Sequence, residues 1–346
     1  MTSAHADGRP LSAQPIAGGE AGEARTAAVV ARTVDVIIAA WNRSDTIERA
    51  ILSALAEPEV RHVIVVDDGS SDDTAARAGQ CGAKDGRVIV ERLPSNLGPG
   101  AARNVALKIS TAPWVAVLDG DDFFLPGRIR RLLAKADGWD FVADELLQIH
   151  EDRVGKETTP TPFLSDRHFE PWNLDLEQFV LGNVTRHGMS RKELGFLKPL
   201  IRRSFLDDHH LRYNETLRLG EDYALYARAL ALRGRFLVIP AEGYASVVRA
   251  ASISARHDKR DLERLRDSDL ELTISQSFTP RERRALKKHY SSVDCRVQWV
   301  AVIEAVKFRR YGQFIAAFCR SPKVSVYLMI RLFEQLSQRI GKAIRG

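Results

Sequence analysis

The chain predicts an α/β protein: a doubly wound, mostly parallel sheet flanked by helices, followed by a C-terminal helical extension. Short β-branched runs at 34–39, 63–66, 88–93 and from Trp114 alternate with apolar stripes at helical spacing, the pattern of successive βα units. Two of these runs end abruptly in carboxylates, Asp67-Asp68 and Asp119-Gly120-Asp121-Asp122. The connections are short, and right-handed crossovers then place all the strand ends on one edge.

In order, the strand at 34–39 leads into the loop Ala40-Trp41-Asn42-Arg43. Asp45 then caps a helix with Glu48 three residues on, and Ile47, Ala50, Ile51, Ala54 and Leu55 form its stripe until Pro58. The strand at 63–66, a helix over 73–80 and the strand at 88–93 follow. The next helix starts near Pro99 and buries Ala101, Ala102, Val105, Ala106 and Leu107. Its entry, Gly98-Pro99-Gly100, lacks the third glycine of a dinucleotide fingerprint and follows the wrong strand, so a NAD site is not expected. The glycines instead turn the chain and offer helix amides to a phosphate. Arg103 either counters diphosphate charge or lies on a solvated helix face.

After Pro126 a basic helix runs through Ile129, Leu132 and Leu133, and a strand at 141–143 ends in Asp144-Glu145. Periodicity is lost over 150–189, as in a variable loop that carries acceptor specificity. Order resumes at Lys198-Pro199-Leu200. Leu219-Gly220-Glu221-Asp222 opens a helix with Leu225, Tyr226, Ala229 and Leu230, closed by Gly234, and strands follow at 236–239 and 244–248. Charged helices then take over, the first marked by Leu262, Leu265, Leu270 and Leu272, the second at 297–306 and the third at 324–344. The third carries Leu328, Leu332, Leu336, Ile340 and Ile344 on one face, which suits either a membrane surface or packing on the body of the protein.

The chemistry is written mainly in acids. Asp119, Asp121 and Asp122 repel one another unless a cation neutralises them, and oxygen ligands of this hardness suit Mg²⁺ or Mn²⁺. Magnesium commonly shares its site with nucleotide phosphates, and a carboxylate such as Asp67 or Asp68 accepts from a base or a ribose, or simply caps a turn. Glu221 and Asp222 at a helix start are stabilised by the macrodipole, and a carboxylate so placed also serves as a general base. His209 and His210 have no companion at ligand spacing and read as surface residues. Cys81, Cys295 and Cys319 are scattered, which fits a reducing cytosol. The net charge is +6, while the stretch from Ala301 onward holds nine Lys/Arg against two Glu, enough to carry the whole excess. Such a tail fits a polyanion or an anionic membrane. No run approaches the roughly 18 apolar residues of a membrane span, and residues 1–32 read as a disordered lead.

The segments Val34-Asp35-Val36-Ile37-Ile38-Ala39-Ala40-Trp41-Asn42, Val65-Val66-Asp67-Asp68-Gly69-Ser70, Asn96-Leu97-Gly98-Pro99-Gly100-Ala101-Ala102-Arg103-Asn104, Leu118-Asp119-Gly120-Asp121-Asp122 and Gly220-Glu221-Asp222 together resemble the ordered motif set of family 2 glycosyltransferases. The resemblance covers about residues 34–255 and extends to the bacterial exopolysaccharide members, the succinoglycan glucosyltransferases in particular. It implies a GT-A fold over 33–255 with a basic helical region at 256–346, and an inverting transfer from a nucleotide sugar, UDP-glucose in the narrower resemblance, with Mn²⁺ or Mg²⁺. Carried over by position, Ala39, Trp41, Asp67, Arg103 and Asp119 contact the nucleotide, with Asp67 on uracil and Asp119 on ribose. Asp121 holds the metal with Asp122 beside it, Asp222 is the base and Glu221 assists. The partners implied are a lipid-linked oligosaccharide acceptor and the inner face of the cytoplasmic membrane, held peripherally, and no nucleic acid. Ala39 stands where the family commonly has proline. The absence of a Gln-x-x-Arg-Trp motif after Asp222 implies single-sugar addition, not processive synthesis. A sugar-1-phosphate nucleotidyltransferase would need a Gly-rich basic loop where Ala40-Trp41-Asn42-Arg43 stands, and a non-catalytic assembly subunit would not need Asp121 and Asp222.

Overall fold

The computed structural model describes residues 32–156, 159–164, 169–184, 193–249, 258–275 and 277–345. The expected N-terminal lead, all but its last residue, and the expected boundary at 255 lie outside the described residues. Strands β1 (Val34–Ala40), β2 (Val60–Asp67), β3 (Val88–Arg92) and β4 (Trp114–Val117) pair in parallel in the order β3-β2-β1-β4. Their crossovers are helices α1 (Ile47–Leu55), α2 (Thr74–Lys84) and α3 (Pro99–Ile109). Both faces of this block are covered, so β1 is apolar almost throughout and its side chains divide by parity. Val36 and Ile38 pack with Ile47, Ala50 and Ile51 of α1, while Ile37 packs with Ala102, Ala106 and Leu107 of α3. The one acid in β1, Asp35, is fully buried, and it accepts from Ser110 Oγ (3.0 Å), Thr111 N (2.8 Å) and Ala112 N (2.9 Å). A buried carboxylate satisfied in this way fixes the turn between α3 and β4.

Beyond β4 the sheet is mixed. The next strands are β5 (Phe123–Phe124), β6 (Phe141–His150), β7 (Thr161–Pro162), β8 (Trp172–Leu174), β9 (Leu200–Arg202) and β10 (Phe236–Val248). Three-residue β9 sits antiparallel between β4 and β6, while β10 runs parallel to β6 and carries β5 and β8 antiparallel. The long ladders are thus parallel, as expected, and the antiparallel strands are short. β10 joins what the sequence divides into two strands. Pro240 has no N–H and Gly243 has φ +130°, yet Asp144 of β6 accepts from Glu242 N (3.2 Å) and Tyr244 N (3.1 Å) across the irregularity. Asp144 is also paired with Arg128 of α4 (Arg128–Lys135), Nη2 to Oδ1 at 2.6 Å, and both side chains are fully buried.

The remaining helices are α5 (Leu176–Gly182), α6 (Arg203–Asp208), α7 (Glu221–Ala231), α8 (Lys259–Ser275), α9 (Pro280–Lys307), α10 (Tyr311–Phe318) and α11 (Pro322–Arg345). Thus β7, β8 and α5 structure part of the expected loop region 150–189. α9 opens with a capping box, in which Thr279 and Glu282 satisfy each other's backbone N–H, and Pro280 occupies the first turn. α8 and α9 place Leu262, Leu265, Leu272, Leu286, Val293 and Val297 in the same core as Ile37 and Val117. Leu270, expected among them, is half-exposed. α10 and α11 instead close a separate small core on the end of α9 around Trp299, Val302, Ala317, Val324 and Leu328. No described helix is long and apolar enough to cross a membrane.

Candidate active site

The ends of β1, β2 and β4 and the start of α7 open on one cleft of about 680 Å³. The loop after β1 is tied to the loop after β2: Asn42 N donates to Ser70 Oγ (2.9 Å), Arg43 N to Thr74 Oγ1 (2.7 Å) and Ser44 N to Asp72 Oδ2 (3.0 Å). Helix α1 starts after Thr46, one residue beyond the expected Asp45 cap. The Thr46 hydroxyl reaches the Gly120 carbonyl (2.8 Å), and Asp45 pairs with Arg249 (3.3 Å). Those bonds hold the acidic loop against β1 and leave Ala39 and the exposed Trp41 on the cleft wall.

Of the paired acids after β2, Asp68 lines the cleft. Asp67 is fully buried, with Oδ2 3.2 Å from Arg92 Nε. Asp68 accepts from Leu97 N (2.7 Å) and Gly98 N (2.9 Å). These two amides belong to the turn just ahead of α3, so a carboxylate of the protein fixes the entry to that helix. Burial raises the Asp68 pKa, and the two amides work against that rise.

The acids after β4 divide into two electrostatic settings. Asp119 accepts from Arg103 Nη2 (2.7 Å) and lies 3.1 Å from Lys198 Nζ. Burial works to raise its pKa, but Lys198 and Arg103 outweigh it and hold Asp119 at about 2. Asp121 lies 3.1 Å from Arg43 Nη2, and Asp122 accepts from Val247 N (2.8 Å). Burial raises the Asp121 pKa despite Arg43, with Asp119 adding to the rise, and burial with the charges of Asp121 and Asp119 pushes Asp122 well above the carboxylate range. Neighbouring acids held up in this way, Asp122 buried and Asp121 partly so, form an electron-rich oxygen set that a hard cation would relieve. Among the described residues no three His, Cys, Asp or Glu side chains gather into a cage. Asp121 and Asp122 could supply the one or two carboxylates that Mg²⁺ or Mn²⁺ takes when phosphates and water complete its shell.

Glu221 and Asp222 occupy the first turn of α7, as expected, and the fold brings them to Asp119 through two buried cations. Arg103 donates from Nη1 to Glu221 (2.7 Å) and Asp222 (3.1 Å), while Lys198 Nζ donates to Asp222 Oδ2 (2.6 Å). Arg103 is only 4% exposed, which removes the solvated-face reading, and its Nη groups meet carboxylates. Burial raises the Glu221 pKa, and Asp222 adds to that. Asn104 next to Arg103 pairs with the backbone of Tyr213 in both directions (2.9 Å each), fastening α3 to the segment before α7. Lys198, to which no sequence motif assigns a role, is 5% exposed, and its carbonyl accepts from Arg128 Nη2 (2.7 Å). A lysine entering an apolar strand was its only signal. Arg43 and Arg49, whose Nη2 donates to the Asp121 carbonyl (2.6 Å), were equally silent.

The arrangement can bind an anionic ligand beside a hard cation and present a carboxylate across the same cleft. Comparisons with known proteins identify the fold and the family. Residues 35–211 match the model of glycosyl transferase family 2, a stretch that ends before Glu221. The succinoglycan biosynthesis protein ExoU of Rhizobium meliloti is 48% identical over 262 residues, 74% of each chain. ExoO of the same organism is 40% identical over 64% of this chain and 62% of its own. Among solved structures, Staphylococcus aureus TarS 1–349 in complex with UDP-GlcNAc superposes with a TM-score of 0.58 at 17% identity, covering 82% of this chain and 89% of that TarS 1–349 chain. The mannosyltransferase PcManGT of Pyrobaculum calidifontis, in complex with GDP-Man and Mn²⁺, gives 0.55 at 14% identity over 88% of this chain and 86% of its own. These likenesses confirm the GT-A fold, and the matched motifs with the identity to ExoU establish the rest: the chain belongs to glycosyl transferase family 2 and is a glycosyltransferase.

Proposed function

We propose that the protein adds one sugar, glucose from UDP-glucose, to a lipid-linked oligosaccharide during exopolysaccharide synthesis, inverting the anomeric centre, at the inner face of the cytoplasmic membrane. The observation that carries this reading is the pair of acidic clusters, Asp119–Asp122 and Glu221–Asp222, facing one cleft and joined by Arg103 and Lys198. The pathway rests on the likeness to ExoU and ExoO. The donor and lipid carrier rest on a shorter likeness, 38% over 97 residues, to an Escherichia coli UDP-Glc:alpha-D-GlcNAc-diphosphoundecaprenol beta-1,3-glucosyltransferase.

In this reading Trp41 and Ala39 form the wall against the nucleotide, Asp67, buried behind the cleft, braces the turn at its uracil end through Ser70 N and Arg92, and Asp119 accepts from the ribose hydroxyls. Asp121 and Asp122 would hold the divalent cation, which when bound offsets the charge on the diphosphate. Asp222 takes the proton from the acceptor hydroxyl as that oxygen attacks the anomeric carbon and the nucleoside diphosphate leaves with the bonding pair. Each oxygen of Asp222 accepts one hydrogen bond in the structure and so retains a lone pair for the acceptor. Arg103 and Lys198 keep it aimed, and Glu221 shares Arg103.

Titration calorimetry with UDP-, GDP- and dTDP-sugars, each with Mg²⁺, Mn²⁺ or EDTA, tests the reading. Metal-dependent binding of UDP-glucose is expected, with Asp222→Asn keeping that binding and losing transfer. Binding of no nucleotide sugar, or unchanged turnover in Asp222→Asn, overturns it.

A further inference from the structure

Of the α11 stripe that the sequence offers to a membrane, the first two turns are packed and only Leu336 is left open among the described side chains. Val324 and Leu328 are buried and Leu332 is partly buried in the small core with Trp299 and Val302, so that part of the face is packed. The side chains of Ile340 and Ile344 lie outside the described residues. A second stripe emerges on the other side of the helix: Val326, Met329, Ile330, Phe333 and Leu336, spaced three and four residues apart along one face. All five are exposed, Phe333 at 74%. The neighbouring elements continue the pattern, with Val306 and Phe308 at the end of α9 and Tyr311 and Ile315 one turn apart on α10, Tyr311 at 73%. Outside it, the exposed large apolar side chains among the described residues are Trp41, Leu52 and Leu97, each on a different element, and Leu270, Ile274 and Ile303 on α8 and α9, so the concentration in this one helical unit is what marks an interaction surface.

Charge identifies the occupant. Lys307, Arg309, Arg310 and Lys323 are all exposed in the same unit, and Lys307 and Arg310 flank the Phe308 ring at 5.4 Å each. Aromatic and aliphatic side chains interleaved with exposed cations match an interface of acyl chains beneath anionic headgroups. We propose that the outer face of α10 and α11, with the end of α9, is a docking surface for an anionic lipid bilayer. This deepens the membrane side of the proposed function and rests on it for its meaning, while the surface itself is argued from exposure and charge. The unit closes its own small core on the end of α9, so it can seat in the headgroup region with the cleft left to the main body.

Co-sedimentation of the full-length protein with vesicles tests it. Vesicles of phosphatidylglycerol mixed with phosphatidylcholine should pellet the protein, pure phosphatidylcholine should not, and added salt should weaken the binding. The double variant Met329→Ser, Phe333→Ser removes exposed apolar side chains only, so it should fold as the wild type by circular dichroism and lose about tenfold or more in vesicle partitioning. Lys307→Glu with Arg310→Glu should abolish the preference for anionic vesicles. Wild-type protein that stays in the supernatant with anionic vesicles overturns the proposal, as does a double variant that pellets unchanged. A concentration-dependent dimer that Phe333→Ser dissolves also overturns it, because the occupant would then be a second copy of the chain. Donor calorimetry on the same variants should be unchanged, so failure here is separable from failure of the glycosyl-transfer reading.

Discussion

At the scale of residues, the site is two cations serving three carboxylates. Lys198 touches Asp119 and Asp222, and Arg103 touches those two and Glu221. Removing one partner from such a network leaves buried charge uncompensated, which typically costs about 3–5 kcal/mol. Lys198→Met should therefore lower the melting temperature and, by releasing Asp222 from its aim, reduce turnover on the order of a hundredfold with a smaller change in KM. A variant with wild-type kcat would show that Asp222 is positioned without Lys198. Asp119 adds a pH signature. Its pKa falls from an ordinary 3.8 to about 2 on folding, so the unfolded chain binds that proton first as acid is added. The stabilisation it draws from Lys198 and Arg103 is complete above about pH 4 and disappears as pH falls toward about 2. Urea midpoints of wild type and Asp119→Asn should accordingly differ most at neutral pH and converge in acid.

At the scale of elements, the strand ends place the acids and the turns hold the strand ends. Gly69 has φ +67°, and a Cβ there would lie 2.5 Å from the Ser95 carbonyl carbon. Left-handed backbone and overpacking together put the cost of Gly69→Ala at about 2–4 kcal/mol. The displaced turn would pull Leu97 and Gly98 from Asp68, so weaker donor binding should accompany the lower melting temperature. Gly120→Ala meets Arg43 Cγ at 3.4 Å and Ala40 Cβ at 3.5 Å, ordinary contacts, and should fold with near-wild-type stability. Wild-type stability in Gly69→Ala would show that the turn yields cheaply. Much of this was legible in the sequence because each of β1, β2 and β4 is an apolar run stopped by an acid or a loop, and periodicity carries that locally. Glu221 and Asp222 were legible as a helix start. The antiparallel β9 and the continuity of β10 were not, since a three-residue strand has too little pattern and the break at Pro240 is repaired by Asp144 from another strand. Lys198 and Arg43 were silent for a related reason. Cations are common on surfaces, and only the fold shows which of them is turned inward onto an acid.

At the scale of the molecule, the C-terminal helices are two different things. α8 and α9 belong to the main body. Leu265 packs over Gly220 at the entry to α7, where an added Cβ would lie 2.6 Å from Leu265 Cδ1, and Asp269 joins Tyr223 Oη (2.7 Å) and His289 Nδ1 (2.6 Å) just beyond Asp222. At about 1.5–3 kcal/mol for each fully buried aliphatic side chain, Leu262, Leu265, Leu272, Leu286, Val293 and Val297 together contribute about 9–18 kcal/mol. That is as large as the whole stability of a typical domain. Ending the chain at residue 257 should therefore give protein without a cooperative melt and without donor binding. Ending it at 307 removes α10 and α11 and uncovers mainly Trp299, Val302 and Cys295, a cost of about 3–6 kcal/mol, within what a body of this size tolerates. The 307 form should melt cooperatively at a lower temperature, bind the nucleotide sugar as the full chain does and leave the vesicle pellet. Thermal melts and donor calorimetry on the two truncations separate the outcomes. A 257 form that folds and binds donor would mean that α8 and α9 only cover the site, and a 307 form that fails to bind would mean that the cleft depends on the helices we assign to the membrane.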